Sequence, residues 1–530
     1  MTMNYRQVKL NISDEQRQQL IEHNVGIANH IERRLALEHT VVSGLAEELS
    51  KAVEQMPEMV EVLAEINDQQ RHTHVRLMDD DAEILNLPWA MAIDPASGQP
   101  LGEIAKLHLS KCPERFIADT ARELTAPVLK ILVMISSPEN VEHRGRLSYE
   151  EEERLILAAF GPLLESGLVE IDFTDEGSLE TLQEKLKKNK YHILHYSGHA
   201  LFKDGQASLQ LEDHLTMNSR IVSEKAFAQA VTCNPEHTVP LVVLSSCQTA
   251  QGLADSEKGF CGVTNRLLQM GVSTVISMGM SILDHYASVF CAHFYGQIAD
   301  KQGILQSFHS AREHLRQQEW EDRRKANIAG GAAIQWMIPN LYSRDGLDQL
   351  VDWDKASEKI KSSSYRFIFE QGRLLLTHDD DYRFIGRRRD KAKILPLLAK
   401  KLPIQLRGQG GMGKTAMAEH LIQRLFTSNT EIHPFLFNEK SKTLQDIQKV
   451  LQSYLDEKGV HYIQELQLRE KGMDEFIYLA AEAGKVCQPV FVFDNLETFQ
   501  EGLTERFAQE FEDIAAVIGS LCKDRRYHVI

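Results

Sequence analysis

The chain has 530 residues, 43% of them hydrophobic, and a formal net charge of −17 at pH 7. This length exceeds what one hydrophobic core supports and predicts two or three domains. The acidic balance excludes a globally basic surface for nucleic acid or anionic membrane, and the sequence carries no direct nucleic-acid signature. Seven cysteines without a paired spacing favour reduced thiols over a disulfide framework.

Neither a targeting signal nor a membrane segment is visible. The N-terminus lacks the apolar core of a signal peptide. The most apolar runs, such as Leu241–Leu244 and Val272–Met278, are far shorter than a bilayer span. We therefore expect a cytoplasmic protein. Because Tyr527–Ile530 resembles the opening of a buried strand, we also expect a longer protein of which this is the front portion.

The first predicted segment, residues 1–74, begins with a strand at Tyr5–Ile12 and continues as helix. Apolar residues at roughly helical spacing support a helix over Asp14–Leu49. The sequence leaves two roles for this segment: it packs on the next domain, or it binds the substrate.

Residues 75–344 alternate short apolar runs with amphipathic helices. This alternation predicts an α/β domain with a mainly parallel sheet flanked by helices. The predicted strands are Val128–Ser136, Val169–Phe173, His192–Tyr196, Leu241–Ser245 and Val272–Ser277, and the predicted helices include Tyr149–Leu164 and Leu179–Lys188.

Residues 345–381 are predicted to be a charged, partly helical linker. A second alternation over residues 382–530 contains strands at Ile404–Arg407 and Val490–Phe493, with a helix after Lys414. This pattern predicts a P-loop NTPase α/β domain that is incomplete at its C-terminus.

A phosphate-loop motif, GxxxxGK[ST], is present in full between the predicted strand and helix of this second domain. Its backbone N–H groups are expected to surround phosphate oxygens. The predicted nucleotide-binding residues are Gly408, Gly410, Gly411, Met412, Gly413, Lys414 and Thr415.

The side chains of the motif predict ATP or ADP with Mg²⁺ as cofactors. Lys414 would neutralise the terminal phosphates and Thr415 would ligate Mg²⁺. Asp494, which follows an apolar strand, is the second predicted magnesium-side residue. Glu497 would polarise an attacking water, with a solvated surface carboxylate as its alternative. The alternative for the whole motif is a glycine-rich turn that binds nothing.

Three motifs together resemble the STAND class of signalling ATPases, relatives of the AP-ATPases. They are Phe384-Ile385-Gly386-Arg387, the phosphate loop, and Asp494-Asn495-Leu496-Glu497. The resemblance implies a switch in which ADP holds a closed state and exchange for ATP drives self-association. The later sensor-arginine strand, winged-helix region and sensor repeats of that class are absent from this chain.

A histidine and a cysteine follow two predicted strands of the first domain. His199 comes after His192–Tyr196, and Cys247 comes 48 residues later, after Leu241–Ser245. Parallel neighbouring strands would deliver both side chains to the carboxyl edge of one sheet, where α/β proteins place their sites. The spacing is close to that of caspase-type peptidases.

This pair provides the chemistry that a thiol peptidase needs. Only the thiolate attacks well, and a nearby imidazole can act as its base and later protonate the leaving amine. Backbone N–H groups at Gly198, Ala200 and Cys247 would hold the oxyanion. The alternative is that the cysteine and the histidine are both buried residues with only a structural role. A metal site at His192, His195 and His199 is disfavoured, because no cysteine or carboxylate shares a ligand-like spacing.

Several further motifs make the chain similar to CHAT peptidases, which are caspase-clan relatives of separases and gingipains. They are Leu87-Pro88-Trp89 with Asp94-Pro95, the strand ends at His199 and Cys247, Gly259–Gly271 with Val275–Met278, Phe294-Tyr295, and Trp336 with Leu341-Tyr342. The resemblance implies that His199 is the general base and Cys247 the nucleophile.

Two positions depart from the pattern of that family. Ala200 stands where glycine usually follows the histidine. Ser245 stands where many arginine-specific relatives have an acidic residue, so a preference for basic substrates is in question. Asp255 and Glu257 are the alternative source of a substrate-binding acid. The other cysteines are expected to be packing residues: Cys112, Cys233, Cys261, Cys291, Cys487 and Cys522.

These features predict a nucleotide-regulated cysteine endopeptidase that cleaves a protein partner after its ATPase switch is activated. Analogy with other STAND-coupled effectors implies bacterial anti-phage defence or programmed cell death. The alternatives are a catalytically silent CHAT scaffold in a signalling ATPase and a plain ATPase remodeller.

Overall fold

The computed structural model divides the chain into two compact units, residues 1–360 and residues 361–530. It describes every residue except 1–2, 33–38, 70, 119–123, 126–127, 139, 141–148, 175, 204, 215, 247–255, 281, 326–332, 356–364, 371–372, 379–386, 410, 429–431, 439–440, 442, 461–471 and 501–505. Within the described residues, no helix has both the length and the apolar character needed to span a membrane.

The described residues of the first unit form one sheet of eleven strands. The strands are β1 (Asn4–Lys9), β2 (Thr73–Met78), β3 (Leu107–Cys112), β4 (Leu129–Ile135), β5 (Val169–Phe173), β6 (Ile193–Lys203), β7 (Gln206–Glu212), β8 (Ser219–Ser223), β9 (Leu241–Ser246), β10 (Thr274–Met278) and β11 (Pro339–Ser343). Their order is β1-β2-β3-β11-β10-β9-β6-β4-β5, with β7 paired to β6 and β8 paired to β7.

Neighbours along the main path pair in parallel, except for the antiparallel pair of β10 and β11. The predicted mainly parallel sheet is therefore confirmed. Its central strands are buried on both faces because helices cover both faces.

Two helical layers enclose this sheet. The helices of the unit are α1 (Asp14–Glu32), α2 (His39–Glu54), α3 (Pro57–Gln69), α4 (Ala82–Asn86), α5 (Tyr149–Ala159), α6 (Gly161–Glu165), α7 (Leu179–Lys188), α8 (Glu224–Val231), α9 (Ser256–Gln269), α10 (Asp284–Ala299) and α11 (Ile304–Lys325). Tyr196 of β6 packs against Phe227 of α8, whereas its neighbour His195 packs against Tyr295 of α10. Alternate residues of β6 thus face opposite layers, as strand geometry requires.

The N-terminal segment is part of this unit. β1 pairs in register with β2 at the end of the sheet, and Leu20, Ile27 and Leu45 belong to the same hydrophobic core as the central strands. The single helix predicted over Asp14–Leu49 is instead two helices that pack side by side, since His23 Nδ1 of α1 lies 3.1 Å from Glu48 Oε2 of α2.

The strand that carries His199 is longer than predicted. β6 runs eleven residues, from Ile193 to Lys203, so His199 lies inside it. Its first part pairs with β4 and β9, and its last five residues pair with β7. The prediction missed this extension because the pairing partner, Gln206–Glu212, becomes a neighbour only after a tight hairpin forms.

The second unit contains a parallel three-stranded sheet in the order β14-β15-β16 and a separate hairpin of β12 and β13. Its strands are β12 (Tyr365–Glu370), β13 (Arg373–His378), β14 (Ile432–Phe437), β15 (Gln488–Phe493) and β16 (His528–Val529). Its helices are α12 (Arg388–Ala399), α13 (Lys414–Ser428), α14 (Leu444–Glu457), α15 (Met473–Val486) and α16 (Glu512–Lys523).

The structure differs from two expectations for this part of the chain. The predicted linker contains the β12–β13 hairpin, consistent with the aromatic and β-branched residues of Tyr365–Glu370, and residues 356–364 of the linker lie outside the described residues. No strand forms at Ile404–Arg407. Pro403, which precedes this segment, has no N–H to donate to a neighbouring strand. The Ile404 N–H donates a hydrogen bond to Val529 O of β16 at 2.9 Å.

Candidate active site

The register of two central strands places the predicted catalytic histidine. β6 and β9 pair in parallel up to Gly198 opposite Ser246. These are the residues that immediately precede His199 and Cys247 in the sequence. Cys247 and Asp255 lie outside the described residues, and Glu257 belongs to α9 without a described side chain.

His199 is buried, with 3% of its surface exposed, and it pairs with Gln210 of β7. By strand alternation its side chain shares a face of β6 with Ser197 and His195. Ser245 of β9 lies opposite Ser197 and is also buried. This face of the two strands is therefore polar directly beneath the carboxyl edge.

The opposite face of β6 fixes the backbone around His199. The Tyr196 hydroxyl donates to His199 O at 3.5 Å, and burial raises the pKa of Tyr196, so the phenol stays a neutral donor. The same hydroxyl occupies the space that a Cβ at Gly198 would need. Glycine is thus required at Gly198 by close approach. Ala200 is buried in the paired part of the strand.

A buried carboxylate ties the neighbouring loops to this edge. Glu212, at the end of β7, accepts hydrogen bonds from Ser137 N–H at 2.6 Å and Gly177 N–H at 2.8 Å. Ser136 N–H donates to Ser197 O at 2.7 Å. The loops after β4 and β5 are thereby held beside β6. The sequence analysis missed Glu212, because no local pattern distinguishes it from a surface glutamate.

A second buried network lies below His199 on its own face of the strand. His195 Nδ1 lies 2.7 Å from the Tyr295 hydroxyl, and His195 Nε2 lies 3.0 Å from Glu152 Oε1. All three side chains are buried, and burial raises the pKa of Tyr295. His195 is therefore a core residue with both ring nitrogens engaged.

His192 is also engaged, since its Nδ1 accepts from Lys130 N–H at 2.9 Å. Across the described part of the chain, no group of three or more histidine, cysteine, aspartate or glutamate side chains is arranged to hold a metal ion.

The described cysteines differ in their surroundings. Cys112 and Cys291 are buried, and burial raises the pKa of both thiols, that of Cys112 to about 12. Cys291 belongs to α10, the helix whose Tyr295 hydroxyl contacts His195 on the polar face beneath the candidate site. Four thiols are only partly buried: Cys233, Cys261, Cys487 and Cys522.

In the second unit, the residues of the phosphate-loop motif surround the start of α13. Lys414 is the first residue of the helix, and its Nζ donates to Gly408 O at 3.1 Å. Gly411 and Gly413 have φ of 79° and 75°, a region that favours glycine. Gly410 lies outside the described residues.

The two predicted magnesium-side residues come together. The Thr415 hydroxyl donates to Asp494 Oδ1 at 3.4 Å, although the residues are far apart in the sequence. This hydroxyl and carboxylate form an oxygen donor set that fits Mg²⁺. Glu497 is exposed in the short turn after β15, and Arg387 donates to Met412 O of the loop.

A cavity of about 720 Å³ adjoins this arrangement, with Gly408, Lys414, Asp494 and Glu497 in its lining. A cavity of this size accommodates a nucleotide-sized ligand.

Known proteins resemble the first unit. The family model of the CHAT domain matches residues 43–360, more than half of the chain. The crystal structure of the Arg-specific cysteine proteinase gingipain R has 9% sequence identity and a TM-score of 0.38; the match covers 66% of this chain and 78% of that one.

Two further solved structures match at similarly low identity. The complex of Porphyromonas gingivalis RgpB pro- and mature domains has 10% identity and a TM-score of 0.35, covering 65% of this chain and 79% of that one. The Saccharomyces cerevisiae separase–securin complex has 12% identity and a TM-score of 0.30, covering 55% of this chain and 17% of that one. No curated protein sequence matches.

The family match spans residues 43–360 and includes every strand of the eleven-stranded sheet except β1. The chain belongs to the CHAT-domain family, whose fold is that of caspase-like cysteine peptidases.

Proposed function

We propose that the first unit is a cysteine endopeptidase with His199 as general base and Cys247 as nucleophile. The observation that carries this proposal is the parallel register of β6 and β9, which pairs the residues directly preceding the two. A register of this kind delivers both side chains to one edge of the sheet. The polar, buried surroundings of His199 suit an imidazole that must change its protonation state.

In the proposed reaction, the His199 imidazole takes the thiol proton of Cys247 and the thiolate attacks the scissile carbonyl carbon. N–H groups near Gly198, Ala200 and Cys247 stabilise the oxyanion. The C–N bond then breaks as the imidazolium protonates the leaving amine. Water attacks the resulting thioester, which releases the acid and restores the thiol.

The substrate of such an enzyme is a protein chain. Ser245 lies on the same face as His199, so an uncharged hydroxyl forms part of the proposed floor for the residue before the scissile bond. A basic residue at that substrate position would need Asp255 or Glu257 as its partner.

The second unit is proposed to be a nucleotide switch of the STAND type that binds ATP or ADP with Mg²⁺. The contact between Thr415 and Asp494 beside the start of α13 supports this assignment. Bound nucleotide would supply a terminal phosphate whose presence or absence distinguishes two states of the switch. Lys414 would pair with that phosphate and Glu497 would orient water. We also propose that the protein self-associates on activation and acts in anti-phage defence or programmed cell death.

Cleavage of a mixed-sequence peptide library, with and without Mg-ATP, tests the peptidase and its regulation together. We expect cleavage by the wild-type chain that is absent in Cys247→Ala and altered by nucleotide. Labelling of Cys247 by a thiol-reactive peptide probe gives a second readout. If the probe never labels Cys247 and no peptide is cut in any nucleotide state, the catalytically silent scaffold is the correct assignment.

A further inference from the structure

A cavity of about 360 Å³ lies on one face of β1 and β2, beside the start of α11 and the segment that follows β11. His74 and Arg76 of β2 pair in register with Tyr5 and Gln7 of β1, so the four side chains share that face. The volume lies at the lower end of the range for sites that bind small molecules.

This cavity is separate from the candidate active site. β11 runs antiparallel to β10, with Ser343 opposite Thr274, so Asp345, which follows β11, lies near the start of β10. His199 lies toward the carboxyl ends of the parallel strands β6, β9 and β10. The cavity is therefore at the opposite edge of the sheet.

Arg76 lines the cavity without a partner. The residue is 2% exposed, and its guanidinium makes no hydrogen bond and no ion pair within the described part of the chain. Nε is enclosed, whereas Nη1 and Nη2, which are also unpaired, retain accessible surface. Nη2 lies against Gly346 of the lining, where an added Cβ would be 3.2 Å away. The guanidinium carbon lies over the Tyr5 ring, 5.0 Å from its centroid. The two terminal nitrogens are thus the donors that a ligand in the cavity can reach.

A buried charge without a partner is unfavourable, because it has lost its hydration and gained no hydrogen bond in exchange. Buried polar groups of folded proteins almost always have partners. The planar guanidinium matches a carboxylate through two parallel hydrogen bonds. An anionic group of a ligand would therefore stabilise Arg76.

Two carboxylates also line the cavity. Asp345 Oδ1 accepts from Leu347 N–H at 3.1 Å, and Asp348 Oδ1 accepts from Leu305 N–H at 2.9 Å. Burial raises the pKa of Asp348, and no cation pairs with either carboxylate among the described residues. A cationic group of a ligand would therefore be stabilised beside them.

The remaining polar groups of the lining are neutral. His74 Nε2 lies 2.7 Å from Ser110 Oγ, and burial lowers the pKa of His74 to about 3, so this ring adds no charge at neutral pH. The Gln7 amide donates to the Tyr5 hydroxyl at 2.9 Å, and Asn4 is an uncharged amide. The charges that face the cavity are thus one guanidinium and two carboxylates.

This set of charges favours a ligand that carries both signs. A simple anion would pair with Arg76 but would add a third negative charge to the two aspartates, and a simple cation would leave Arg76 unpaired. Met3, Ala118 and Leu305 supply apolar lining for the rest of the ligand.

We propose that this cavity binds a small zwitterion, such as a free amino acid with an apolar side chain, with its carboxylate on Arg76 and its ammonium beside Asp345 and Asp348. The site does not depend on the peptidase assignment.

Three probes of similar shape separate the two charges of the ligand. They are L-leucine, 4-methylpentanoate, which lacks the ammonium, and 3-methylbutylamine, which lacks the carboxylate. We expect calorimetry to show that leucine binds the wild-type chain at least about tenfold more tightly than either analogue, the value of one hydrogen bond to a charged group. Leucine binding no tighter than that of an analogue, or no binding of leucine or of a mixture of the standard amino acids, would overturn the proposal.

Substitutions locate the bound zwitterion. Arg76→Met keeps an extended side chain without the charge and should weaken leucine binding at least about tenfold. Arg6→Met removes an arginine from the opposite face of β1 and is the matched control, which should bind leucine as the wild type does. Leucine binding at wild-type affinity in Arg76→Met would place the ligand elsewhere and overturn the site.

Asp345→Asn gives a second test, because it removes a charge while keeping an acceptor for Leu347 N–H. We expect it to reduce the preference for leucine over 4-methylpentanoate. The melting temperature of each variant shows whether it is folded. If Arg76→Met does not fold, Asp345→Asn decides, and a preference as large as that of the wild type would overturn the proposal.

Discussion

The two candidate sites of this chain are assembled in different ways. The phosphate-loop motif is a continuous stretch of sequence from Gly408 to Thr415 at the start of one helix, and Asp494 and Arg387 contact it from elsewhere in the chain. His199 lies in a buried strand, and its relation to Cys247 depends on the register of β6 with β9 across 48 residues of sequence. Local sequence thus builds the first site, whereas the second requires the whole sheet.

The difference also appears in the surroundings of the two sites. Met412 is an exposed residue of the loop, and Glu497 after β15 is exposed too. His199, Ser197 and Ser245 are nearly inaccessible and lie beside networks contributed by α5, β7, α10 and the loop before α7. Changes far from the chemistry should therefore affect the peptidase site more than the phosphate loop.

Removing either member of the proposed catalytic pair should give the largest effect. We expect His199→Ala to lower kcat/KM for a peptide substrate by about 10²–10⁴-fold, the usual contribution of a general base. Cys247→Ala should remove cleavage altogether. Cys233→Ala, which changes a half-buried thiol elsewhere in the unit, is the control and should retain activity. Full activity in His199→Ala would show that the register does not create a catalytic pair.

The network beneath His199 should give the next largest effect. Glu152→Ala leaves Nε2 of the buried His195 ring without its hydrogen-bond partner, and we expect a loss of about 1–3 kcal/mol in the free energy of unfolding of the first unit. Glu184→Ala removes an exposed ion pair with Lys188 and should cost only a few tenths of a kcal/mol. Denaturant unfolding measures both, and equal losses would contradict the difference between buried and exposed pairs.

In the phosphate loop, Lys414→Ala should weaken binding of Mg-ADP by about 10–100-fold, since it removes a charged hydrogen-bond donor. The thiol of Cys247 should still react with a peptide probe, because the two sites are built separately. Lys393→Ala on α12 removes an exposed lysine and serves as the matched control. Calorimetry measures the affinity; unchanged affinity in Lys414→Ala would refute the nucleotide assignment.

Lowering the pH should reduce the free energy of unfolding of the first unit, because this unit contains a set of buried histidines. Burial, together with neighbouring His72 and Arg312, lowers the pKa of His108 to about 4, and burial lowers those of His74 and His309 to about 3. These values lie below the ordinary 6.5, so the unfolded chain binds protons first as the pH falls. Stability should be intact above pH 6.5 and decline toward pH 4, by about 1.4 kcal/mol per pH unit for each histidine.

Hydrogen exchange of the β2 and β3 amides between pH 7 and pH 5, corrected for intrinsic rates, measures this decline. His309→Leu should reduce the pH dependence, because it removes one of the three groups. The same slope in this variant would show that His309 is not one of the titrating residues.

Sequence patterns predicted much of the sheet because strands buried on both faces are nearly continuous apolar runs. Val169–Phe173 and Leu179–Lys188 agree with β5 and α7 residue for residue. The extension of β6 past His199 and the hairpin of β12 and β13 were missed, since their pairing partners are not evident from apolar periodicity. Ile404–Arg407 is the opposite case, because its alternating apolar and polar residues predict a strand that does not form after Pro403.

The sequence by itself determined the types of the chemical groups: a histidine and a cysteine after two strands, a glycine-rich loop before a helix, and a carboxylate after another strand. Only the tertiary structure decided that Glu212 holds two loops beside β6 and that Glu152 and Tyr295 engage His195. The physical reason is that catalytic motifs are short and local, whereas the partner of a buried polar group is set by strand order and helix packing across the whole unit.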